Sequence, residues 1–321
     1  MIPVFLIALL AGLFFVRPFG QKQPPITPEP AEQAQLHTPA KDVTTFLVLG
    51  ADKRPGDQGR ADTMIVGSYD EANERLAMVS IPRDTYTYVK GHDFTKINHA
   101  FAYGGTRLTI STVQQLIGLP IDHYVLVNFQ GFMKFIDALG GVDIDAEKRM
   151  YYVDAEDVGM GPRGLVIDIK PGLQRMDGYD TLAYARFRKD AEGDRGRMRR
   201  QQQVIMAVMK ELTQPSTFAK IPKLIPTVFN TIETDLTMAQ MISYGMGGKG
   251  AMEKGIVAAS TTGDDIALDG IDYVAPNIVD LRTVVYRTLM GTEPTTEYLA
   301  KAHEDQASYA QVLRQAEAES E

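Results

Sequence analysis

Cysteine is absent from all 321 residues of the chain. This absence excludes a disulfide framework, a thiolate nucleophile, a zinc–cysteine site and an iron–sulfur cluster. Any metal ion that the protein binds must therefore be held by oxygen or histidine ligands. A chain without thiols also suits an exported protein, because such a protein never has to manage thiol oxidation.

Positive charge is scarce as well: 33 lysines and arginines stand against 41 acidic residues, which gives a formal net charge of −8. This balance disfavours a protein whose whole surface binds nucleic acid, and the globular part contains no helix-turn-helix candidate. We therefore expect no nucleic-acid partner. The content of 44% hydrophobic and 23% charged residues is typical of an ordinary globular protein.

Several familiar catalytic motifs are missing from the sequence. No serine stands in a G-x-S-x-G elbow, and the five histidines form no H-E-x-x-H pair. The segment GMGGKG at residues 245–250 lacks the spacing of a phosphate-binding loop and the Ser or Thr after its lysine. We interpret it as a flexible turn.

The N-terminus begins with an uninterrupted apolar run, MIPVFLIALLAGLFFV, at residues 1–16. As a helix this run would be roughly 24 Å long, somewhat shorter than the ~30 Å core of a bilayer. We predict a transmembrane anchor over residues 1–17, with a cleaved signal peptide as the alternative. Residues 18–42 contain six prolines and predict an extended linker between the anchor and a domain outside the membrane.

A globular domain is predicted over residues 43–290. The runs VTTFLVLG, TMIVGSY, RLAMVSI and HYVLVNF indicate buried strands, and helix-length segments cover residues 106–117, 129–139 and 194–212. Strands that alternate with helices predict an α/β three-layer sandwich, and a turn at residues 70–75 indicates a mixed sheet. IVAAS at residues 256–260 fits an edge strand. Residues 291–321 form an acidic tail, for which we expect a frayed helix or a disordered end.

Two candidate ligand segments follow predicted strands. In LGADKRPGDQGRADTM, Asp52 and Arg54 come just after one strand, and Arg60 and Asp62 precede the next. A strand exit is where an open α/β sheet binds ligands, and two carboxylates there can hold Mg²⁺ together with substrate phosphates. The alternative is a solvated loop with surface ion pairs. In SIPRDT, Arg83 and Asp84 also stand at a strand exit.

The most basic segment is YARFRKDAEGDRGRMRRQQQ at residues 184–203, with seven cations against three acidic residues. Arg186 and Arg188 share a face if the chain between them is extended and Phe187 points the other way. Arg197 and Gln201 are four residues apart and would share one face of a helix. One guanidinium group can donate two hydrogen bonds to two phosphate oxygens at once. A cluster of arginines therefore suits a diphosphate. A basic helix face that contacts anionic lipid or nucleic acid is the alternative.

The order of these segments resembles that of the LytR-CpsA-Psr family of cell-wall assembly proteins. The resemblance covers about residues 43–235 and rests on LGADKR, GRADTM, SIPRDT, KINHAFAYGG, NFQGFMKFIDALGGVDI and YARFRKD with GDRGRMRRQQQ. It implies a single-pass membrane protein whose catalytic domain faces the outside of a bacterial cell. Such a phosphotransferase takes a glycopolymer, for example teichoic acid or capsule, from a polyprenyl-pyrophosphate carrier. It joins the polymer to a peptidoglycan sugar hydroxyl through a phosphodiester.

The resemblance also implies roles for particular residues. Asp52 and Asp62 match the magnesium ligands of the family, and Mn²⁺ could replace Mg²⁺. The pyrophosphate-binding set comprises Arg60, Arg83, Arg186, Arg188, Arg197 and Gln201. Arg83, Asp84 and Arg54 are the candidate catalytic residues, although a general base is not obvious. The lipid would lie in an apolar tunnel between the sheet and the helices, with the pyrophosphate at its mouth.

Other functions remain open from the sequence. Water could replace the sugar hydroxyl, which would make the protein a hydrolase of lipid pyrophosphates. A lipid carrier without catalytic activity or a membrane-bound regulator is the alternative from a different class. The arginine and aspartate sets together count against a passive carrier, which needs affinity for phosphate but no metal-assisted displacement. The expected partners are the lipid-linked glycopolymer, peptidoglycan and the lipid of the cytoplasmic membrane.

Overall fold

A computed structural model describes residues 36–37, 43–51, 59–154, 164–218, 232–247 and 249–320. The strands in these ranges are β1 (Val43–Ala51), β2 (Ala61–Asp70), β3 (Arg75–Ser80), β4 (Tyr86–Val89), β5 (Asp93–Lys96), β6 (His123–Val127), β7 (Val142–Ala146), β8 (Met150–Asp154), β9 (Leu165–Ile169), β10 (Gly172–Met176), β11 (Glu233–Thr234), β12 (Ile256–Ser260), β13 (Asp264–Leu268) and β14 (Ile271–Ala275). The helices are α1 (His99–Ile117), α2 (Phe129–Leu139), α3 (Gly178–Arg186), α4 (Gly193–Thr213), α5 (Pro215–Phe218), α6 (Met238–Gly247), α7 (Lys249–Lys254), α8 (Ile278–Met290) and α9 (Thr296–Ser320).

A six-stranded mixed sheet forms the centre of the domain, in the order β11-β6-β1-β2-β3-β12. The pairs β1/β6 and β3/β12 are parallel, whereas β1/β2, β2/β3 and β6/β11 are antiparallel. The turn at residues 70–75 joins β2 to β3 as a hairpin, and β12 lies at an edge of the sheet. Both predictions from the sequence are therefore confirmed.

Side chains of the central strands alternate between two hydrophobic cores. On β1, Phe46 and Val48 pack into one core with α2, α3 and α4, while Leu47 and Leu49 pack into the other with α1, α8 and α9. Successive residues of a strand point to opposite faces, so a strand that is apolar throughout must be covered on both sides. The predicted α/β sandwich, with helices on both faces of a mixed sheet, is thus confirmed.

The helices largely match the predicted segments. The predicted segment 129–139 coincides with α2, and α4 is one residue longer at each end than predicted. The segment 106–117 is only the second part of α1, which begins at His99 and bends at Gly104 and Gly105. The interpretation of residues 245–250 as a turn is wrong where the structure describes them, because they end α6 and begin α7.

The acidic C-terminus is an ordered helix, so the expectation of a frayed or disordered end is wrong for α9. Its inner face buries Tyr298, Ala302 and Tyr309. The Tyr309 hydroxyl donates to the backbone carbonyl of Tyr86 at 3.1 Å, and Arg282 on α8 pairs with Asp305 at 2.7 Å. Charged residues between the buried positions make the apolar periodicity of this helix weak in the sequence.

No helix within the described ranges is long and apolar enough to cross a membrane. The predicted anchor at residues 1–17 lies outside these ranges, as does most of the predicted linker. Two linker residues are described, and His37 contacts the domain. Its backbone N–H donates to Gly118 at 3.1 Å, and its ring contacts the rings of Tyr286 and Tyr298. The domain boundaries themselves stay predictions.

Candidate functional site

A cavity of about 330 Å³ lies between the sheet and helices α2, α3 and α4. Ligand sites in proteins are typically clefts of roughly 300–1,000 Å³. The residues that line it are Val48, Gly50, Asp62, Thr63, Ile65, Arg83, Val127, Asn128, Phe129, Phe132, Tyr152, Asp154, Leu165, Leu182, Ala185, Arg186, Arg188, Lys189, Arg197, Gln201, Val204 and Ile205.

The lining combines apolar and positively charged side chains. The apolar part comes from β1, β2, β6, β9 and the helices, and includes Val48, Ile65, Phe132 and Ile205. The charged part contains five cations, which are Arg83, Arg186, Arg188, Lys189 and Arg197, against the two carboxylates Asp62 and Asp154. This excess of positive charge beside an apolar lining suits an anion that is attached to a hydrophobic group.

Arg186 and Arg188 reach the cavity because the chain becomes extended at the end of α3. Phe187 has φ −62° and ψ 131° and is buried in the core, so the side chains before and after it both face the cavity. The Arg186 guanidinium carbon lies 4.3 Å from the centre of the Phe129 ring. The condition under which the sequence lets Arg186 and Arg188 share a face, an extended chain between them, is met at Phe187.

Arg197 and Gln201 share one face of α4 and both line the cavity, as their spacing predicts. Arg197 is only 6% exposed. Its Nη2 lies 2.7 Å from Oδ1 of Asp194, and its Nε has no hydrogen-bond partner among the described residues. Burial lowers the pKa of Arg197, and the charge of Arg83 lowers it further, although Asp194 opposes both effects. Buried donors are normally hydrogen-bonded, so this N–H is available to an acceptor atom of a ligand.

Arg83 is held by three carboxylates at the same end of the cavity. Its Nη1 donates to Oδ1 of Asp62 at 2.6 Å, and its Nε lies 3.4 Å from Asp84 and 3.6 Å from Asp194. Burial alone would lower the pKa of Arg83, but the three carboxylates raise it, with Asp62 the strongest. The guanidinium therefore stays charged despite its burial.

A close approach between β1 and β2 shapes the cavity beside Asp62. The register of the two strands shifts at Gly50 and Ala51, which marks a β-bulge. A Cβ atom on Gly50 would lie 2.9 Å from Cβ of Thr63, closer than real side chains approach. Bulges often redirect side chains at functional sites, and glycine is required here because the two strands nearly touch.

A buried ion-pair network supports the segment that carries Arg188. Arg200 on α4 is fully buried, and its Nη1 lies 3.0 Å from Glu147 and 2.9 Å from Asp190. Its Nη2 donates to the backbone carbonyl of Phe187 at 2.7 Å. These contacts fix the chain on both sides of Arg188, so Arg200 holds the site in place without lining it.

The structure divides the basic cluster of residues 184–203 into two groups. Arg199 and Arg200 pair with carboxylates away from the cavity, Arg199 with both Glu147 and Glu192 at 2.9 Å. Arg195 is exposed and pairs with Asp265. The excess of positive charge that the sequence indicates is therefore concentrated in the side chains that line the cavity.

Most of the predicted site residues come together in this cavity. Those that line it are Asp62, Arg83, Arg186, Arg188, Arg197 and Gln201. Arg60 is exposed and does not line it. Asp84 does not line it either, and its carboxylate pairs with Lys96 at 2.9 Å and with Arg83. Asp52 and Arg54 lie outside the described residues, and the roles of all four stay predictions.

The fit of a magnesium ion depends on Asp62. Its side chain is 35% exposed and lies at the charged end of the cavity, where it could bind a cation together with phosphate oxygens. The parts of the chain that the structure describes contain no group of three or more His, Cys, Asp or Glu residues able to hold a metal ion. One carboxylate with substrate phosphates still fits Mg²⁺, which commonly uses one or two carboxylates in this way.

Other lining residues were not predicted. Asn128 caps α2 by accepting from the Gly131 N–H, and the segment NFQG follows a strand directly, which is a signal that could have been used. Tyr152 and Asp154 lie on β8, and Lys189 has its Nζ 5.2 Å from the centre of the Tyr152 ring. No motif marks β8 in the sequence, because its place beside the cavity is set by distant packing.

Comparison with known proteins gives consistent relatives. The chain is 36% identical over 235 residues to the polyisoprenyl-teichoic acid–peptidoglycan teichoic acid transferase TagU of Bacillus subtilis, which covers 73% of this chain and 72% of TagU. It is 37% identical over 216 residues to the regulatory protein MsrR of Staphylococcus aureus, which covers 66% of this chain. The chain spans 63% of the length of MsrR, slightly less than two thirds.

Solved structures show the same fold. The crystal structure of TagV from B. subtilis aligns with a TM-score of 0.67 at 32% identity, and covers 79% of this chain and 100% of TagV. A structure of TagT bound to LI-WTA aligns with a TM-score of 0.63 at 25% identity, and covers 87% of this chain and 100% of TagT. The model of the LytR_cpsA_psr family matches residues 20–288. The chain therefore belongs to the LytR_cpsA_psr family.

Proposed function

We propose that this protein transfers a glycopolymer from a polyprenyl-pyrophosphate carrier to a sugar hydroxyl of peptidoglycan, with formation of a phosphodiester. The observation that carries the proposal is the cavity itself, where five cations stand beside an apolar lining. A lipid pyrophosphate has the matching division into a doubly charged head and a hydrophobic tail. The names of TagU and of the TagT complex, a teichoic acid transferase and a protein bound to LI-WTA, support the same class of substrate.

The apolar part of the cavity would hold the prenyl chain. Phe132 on α2, Leu182 on α3 and Val204 on α4 line it from the helical side, opposite Val48 and Ile65 of the sheet. Helices that pack on a sheet normally fill such a space, so an unfilled apolar cavity between them supports a site for an apolar ligand. The tunnel that the sequence resemblance implies would lie here.

The arginines would bind the pyrophosphate. Arg83, Arg186, Arg188 and Arg197 all line the cavity, and the Nε of Arg197 is a buried donor without a partner among the described residues. Paired N–H donors match phosphate oxygens and stabilise the charge that grows on the leaving group. A pyrophosphate would compete with Asp194 for Arg197, because the two anions bind the same cation.

Mg²⁺ would be held by Asp62 with phosphate oxygens, and by Asp52 as the resemblance implies; Mn²⁺ could take its place. When bound, the ion neutralises phosphate charge. The protein's own contribution is orientation: Asp62 holds Nη1 of Arg83, and Asp84 lies close to its Nε. Asp84 is paired with Lys96 as well, which suits a carboxylate that positions Arg83.

The reaction is a displacement at phosphorus. The acceptor hydroxyl oxygen forms a bond to the phosphorus that carries the glycopolymer, and the bond from that phosphorus to the bridging oxygen breaks. Polyprenyl phosphate leaves with the bridging oxygen, and the hydroxyl proton passes to a base. The candidate bases, which stay predictions, are a metal-site aspartate and Asp84. Positioning and charge stabilisation supply most of the catalysis in such transfers.

The place of the reaction follows from the proposed chemistry. Peptidoglycan lies outside the cytoplasmic membrane, so the domain would face outward, held by the predicted anchor at residues 1–17. The lipid of that membrane would then be next to the cavity that receives the prenyl chain.

A transfer assay tests this function directly. Purified full-length protein is incubated with Mg²⁺, a lipid-pyrophosphate-linked oligosaccharide and soluble peptidoglycan strands, and the products are identified by mass spectrometry. We expect a phosphodiester-linked conjugate and free polyprenyl phosphate. Release of phosphorylated oligosaccharide without conjugate would establish hydrolysis instead, and lipid binding without any product would establish a carrier.

A further inference from the structure

An exposed group of aromatic rings lies outside the cavity. The rings of His92 and Tyr103 stack with centroids 4.1 Å apart and an angle of 18° between their planes. The ring of His99 meets Tyr103 edge-on at 5.8 Å. Tyr103 is 47% exposed, and His92 is exposed beside it. We call these three residues the aromatic platform.

The local fold presents the platform to solvent. His99 and Tyr103 are four residues apart at the start of α1 and so lie on one face of the helix. The helix then bends at Gly104 and Gly105, and Gly105 has φ +61°. A Cβ atom on Gly105 would meet nothing within 4 Å, so the bend itself is open. The hairpin of β4 and β5 supplies His92 from the other side.

The segments that carry the platform contact the segment that carries Arg83. The backbone N–H of Asn98, the residue before α1, donates to the carbonyl of Arg83 at 3.2 Å. Nδ1 of His99 lies 2.8 Å from the hydroxyl oxygen of Thr95 in β5, and the two share a hydrogen bond. Lys96, the residue after Thr95, pairs with Asp84. The residues just before His99 in the chain therefore contact Arg83 through Asn98 and its neighbour Asp84 through Lys96.

We propose that the aromatic platform binds a pyranose ring of the glycan that takes part in the transfer. This proposal rests on the proposed function and names the part of the surface that recognises sugar. The C–H groups on one face of a pyranose are slightly positive and match the negative face of an aromatic ring. Hydroxyl groups at the rim of the sugar would meet the polar tips of Tyr103 and His92. The sugar would belong to the donor polymer or to the peptidoglycan acceptor.

A membrane surface is a different occupant for exposed tyrosines. The position of the platform favours sugar, because the glycan is attached to the pyrophosphate that the arginines would bind.

The absence of tryptophan from the sequence allows a direct binding test. Tyr103→Trp keeps an aromatic face and introduces a single fluorophore at the platform. Peptidoglycan-derived tetrasaccharide and lipid-free donor oligosaccharide are titrated separately against this variant. We expect a saturable change in Trp emission with at least one of them, weakened about tenfold by adding His92→Ala. A response only to phosphatidylglycerol vesicles, or no response, would overturn the proposal.

Kinetics identify which sugar the platform binds. Tyr103→Ala should raise KM about tenfold for the donor or for the acceptor, whereas Tyr103→Phe, which keeps the aromatic face and loses only the hydroxyl, should raise it less. Binding of sugar-free polyprenyl pyrophosphate should not change in either variant. Tyr151→Ala is the matched control, since Tyr151 is 63% exposed on β8 and lies outside the platform.

The two tests separate this proposal from the function on which it rests. Sugar binding to Tyr103→Trp without any transfer by the wild type would contradict the proposed function and leave the platform supported. Efficient transfer with an unchanged KM in Tyr103→Ala would overturn the platform and leave the function supported.

Discussion

Asp194 Oδ1 lies 2.7 Å from Arg197 Nη2, one turn apart at the start of α4. Asp194 also stands 3.6 Å from Arg83, so one carboxylate serves two arginines of the cavity. Its other oxygen is buried and accepts no hydrogen bond from the described residues. The Nε of Arg197 also has no partner among the described residues, so this guanidinium keeps an N–H that can be donated to a phosphate oxygen.

Arg197→Lys should reduce kcat/KM for transfer by about tenfold or more, which is about 1.4 kcal/mol. Lysine keeps the positive charge but loses the paired donors that match two phosphate oxygens. The matched control is Arg195→Lys, because Arg195 is 64% exposed on the same helix and pairs with Asp265. Equal and small effects of the two substitutions would mean that only net charge matters at this end of the cavity.

Asp62→Asn should raise the Mg²⁺ concentration that gives half-maximal activity, since a neutral amide binds a hard cation more weakly than a carboxylate. Titration of activity with Mg²⁺ measures the shift. Asp265→Asn is the control, because Asp265 is an exposed carboxylate that pairs with Arg195. An unchanged Mg²⁺ dependence in Asp62→Asn, with the fold intact, would remove Asp62 from the metal site.

Arg200→Met should destabilise the protein by about 3 kcal/mol or more, because it leaves Glu147 and Asp190 facing a neutral side chain in a buried place. Chemical denaturation monitored by circular dichroism measures this loss. Arg199→Met should cost about 1 kcal/mol or less, since the Arg199 side chain is far more exposed. Similar losses in the two variants would contradict a supporting role that is specific to Arg200.

The ion pairs of Arg200 with Glu147 and Asp190 make the free energy of unfolding depend on pH. Burial would raise the pKa of Glu147, but hydrogen bonds from its own backbone, Arg199, Tyr184 and Arg200 outweigh burial and lower it. The pKa of Asp190 is lowered in the same way by Lys148 and Arg200. A carboxyl group with a lowered folded pKa stabilises the protein above its unfolded pKa of roughly 4, and loses this effect as the pH falls through the folded value.

The free energy of unfolding should therefore fall as the pH drops below about 4.5. Glu147→Gln cannot titrate, so its stability should change less steeply over the same range. Denaturation curves from pH 7 down to the start of acid unfolding compare the two proteins. Identical slopes would show that Glu147 does not contribute to the acid sensitivity.

Tyr309→Ala should lower stability by about 3 kcal/mol, because the side chain packs in the core beside Tyr86 and donates to its carbonyl. His303→Ala, at an exposed position of the same helix, should change stability by less than about 0.5 kcal/mol. Thermal unfolding of the two variants makes the comparison. A silent Tyr309→Ala would restore the interpretation of this segment as a loose tail.

The sheet and most helices could be predicted because their local patterns are strong. Runs such as VTTFLVLG can be buried on both faces only in a central strand, and the spacing of Arg197 and Gln201 places both on one side of a helix. The spacing of Arg186 and Arg188 states only the condition for a shared face, and the structure supplies the extended residue Phe187 between them. The segment of α9 was misjudged because only three buried side chains hold its inner face.

The site could be predicted only in part. Sequence spacing groups Arg197, Arg199 and Arg200 together, whereas burial separates them: Arg197 faces the cavity, and Arg200 pairs with Glu147, a residue 53 positions away. Arg60 is two positions from Asp62, so an extended strand would place both on one face, but Arg60 lies before the start of β2 and is exposed. Distant pairings of this kind leave no local signal.

The central claim is that the cavity binds a polyprenyl pyrophosphate with its phosphates against the arginines. Native mass spectrometry of the full-length protein, extracted from bacterial membranes in mild detergent, measures this directly. We expect a bound polyprenyl phosphate or pyrophosphate on the wild type, and its loss from an Arg186→Ala, Arg188→Ala double variant that keeps its fold. A wild type without bound prenyl lipid even after addition of polyprenyl pyrophosphate, or equal occupancy in the variant, would contradict the account.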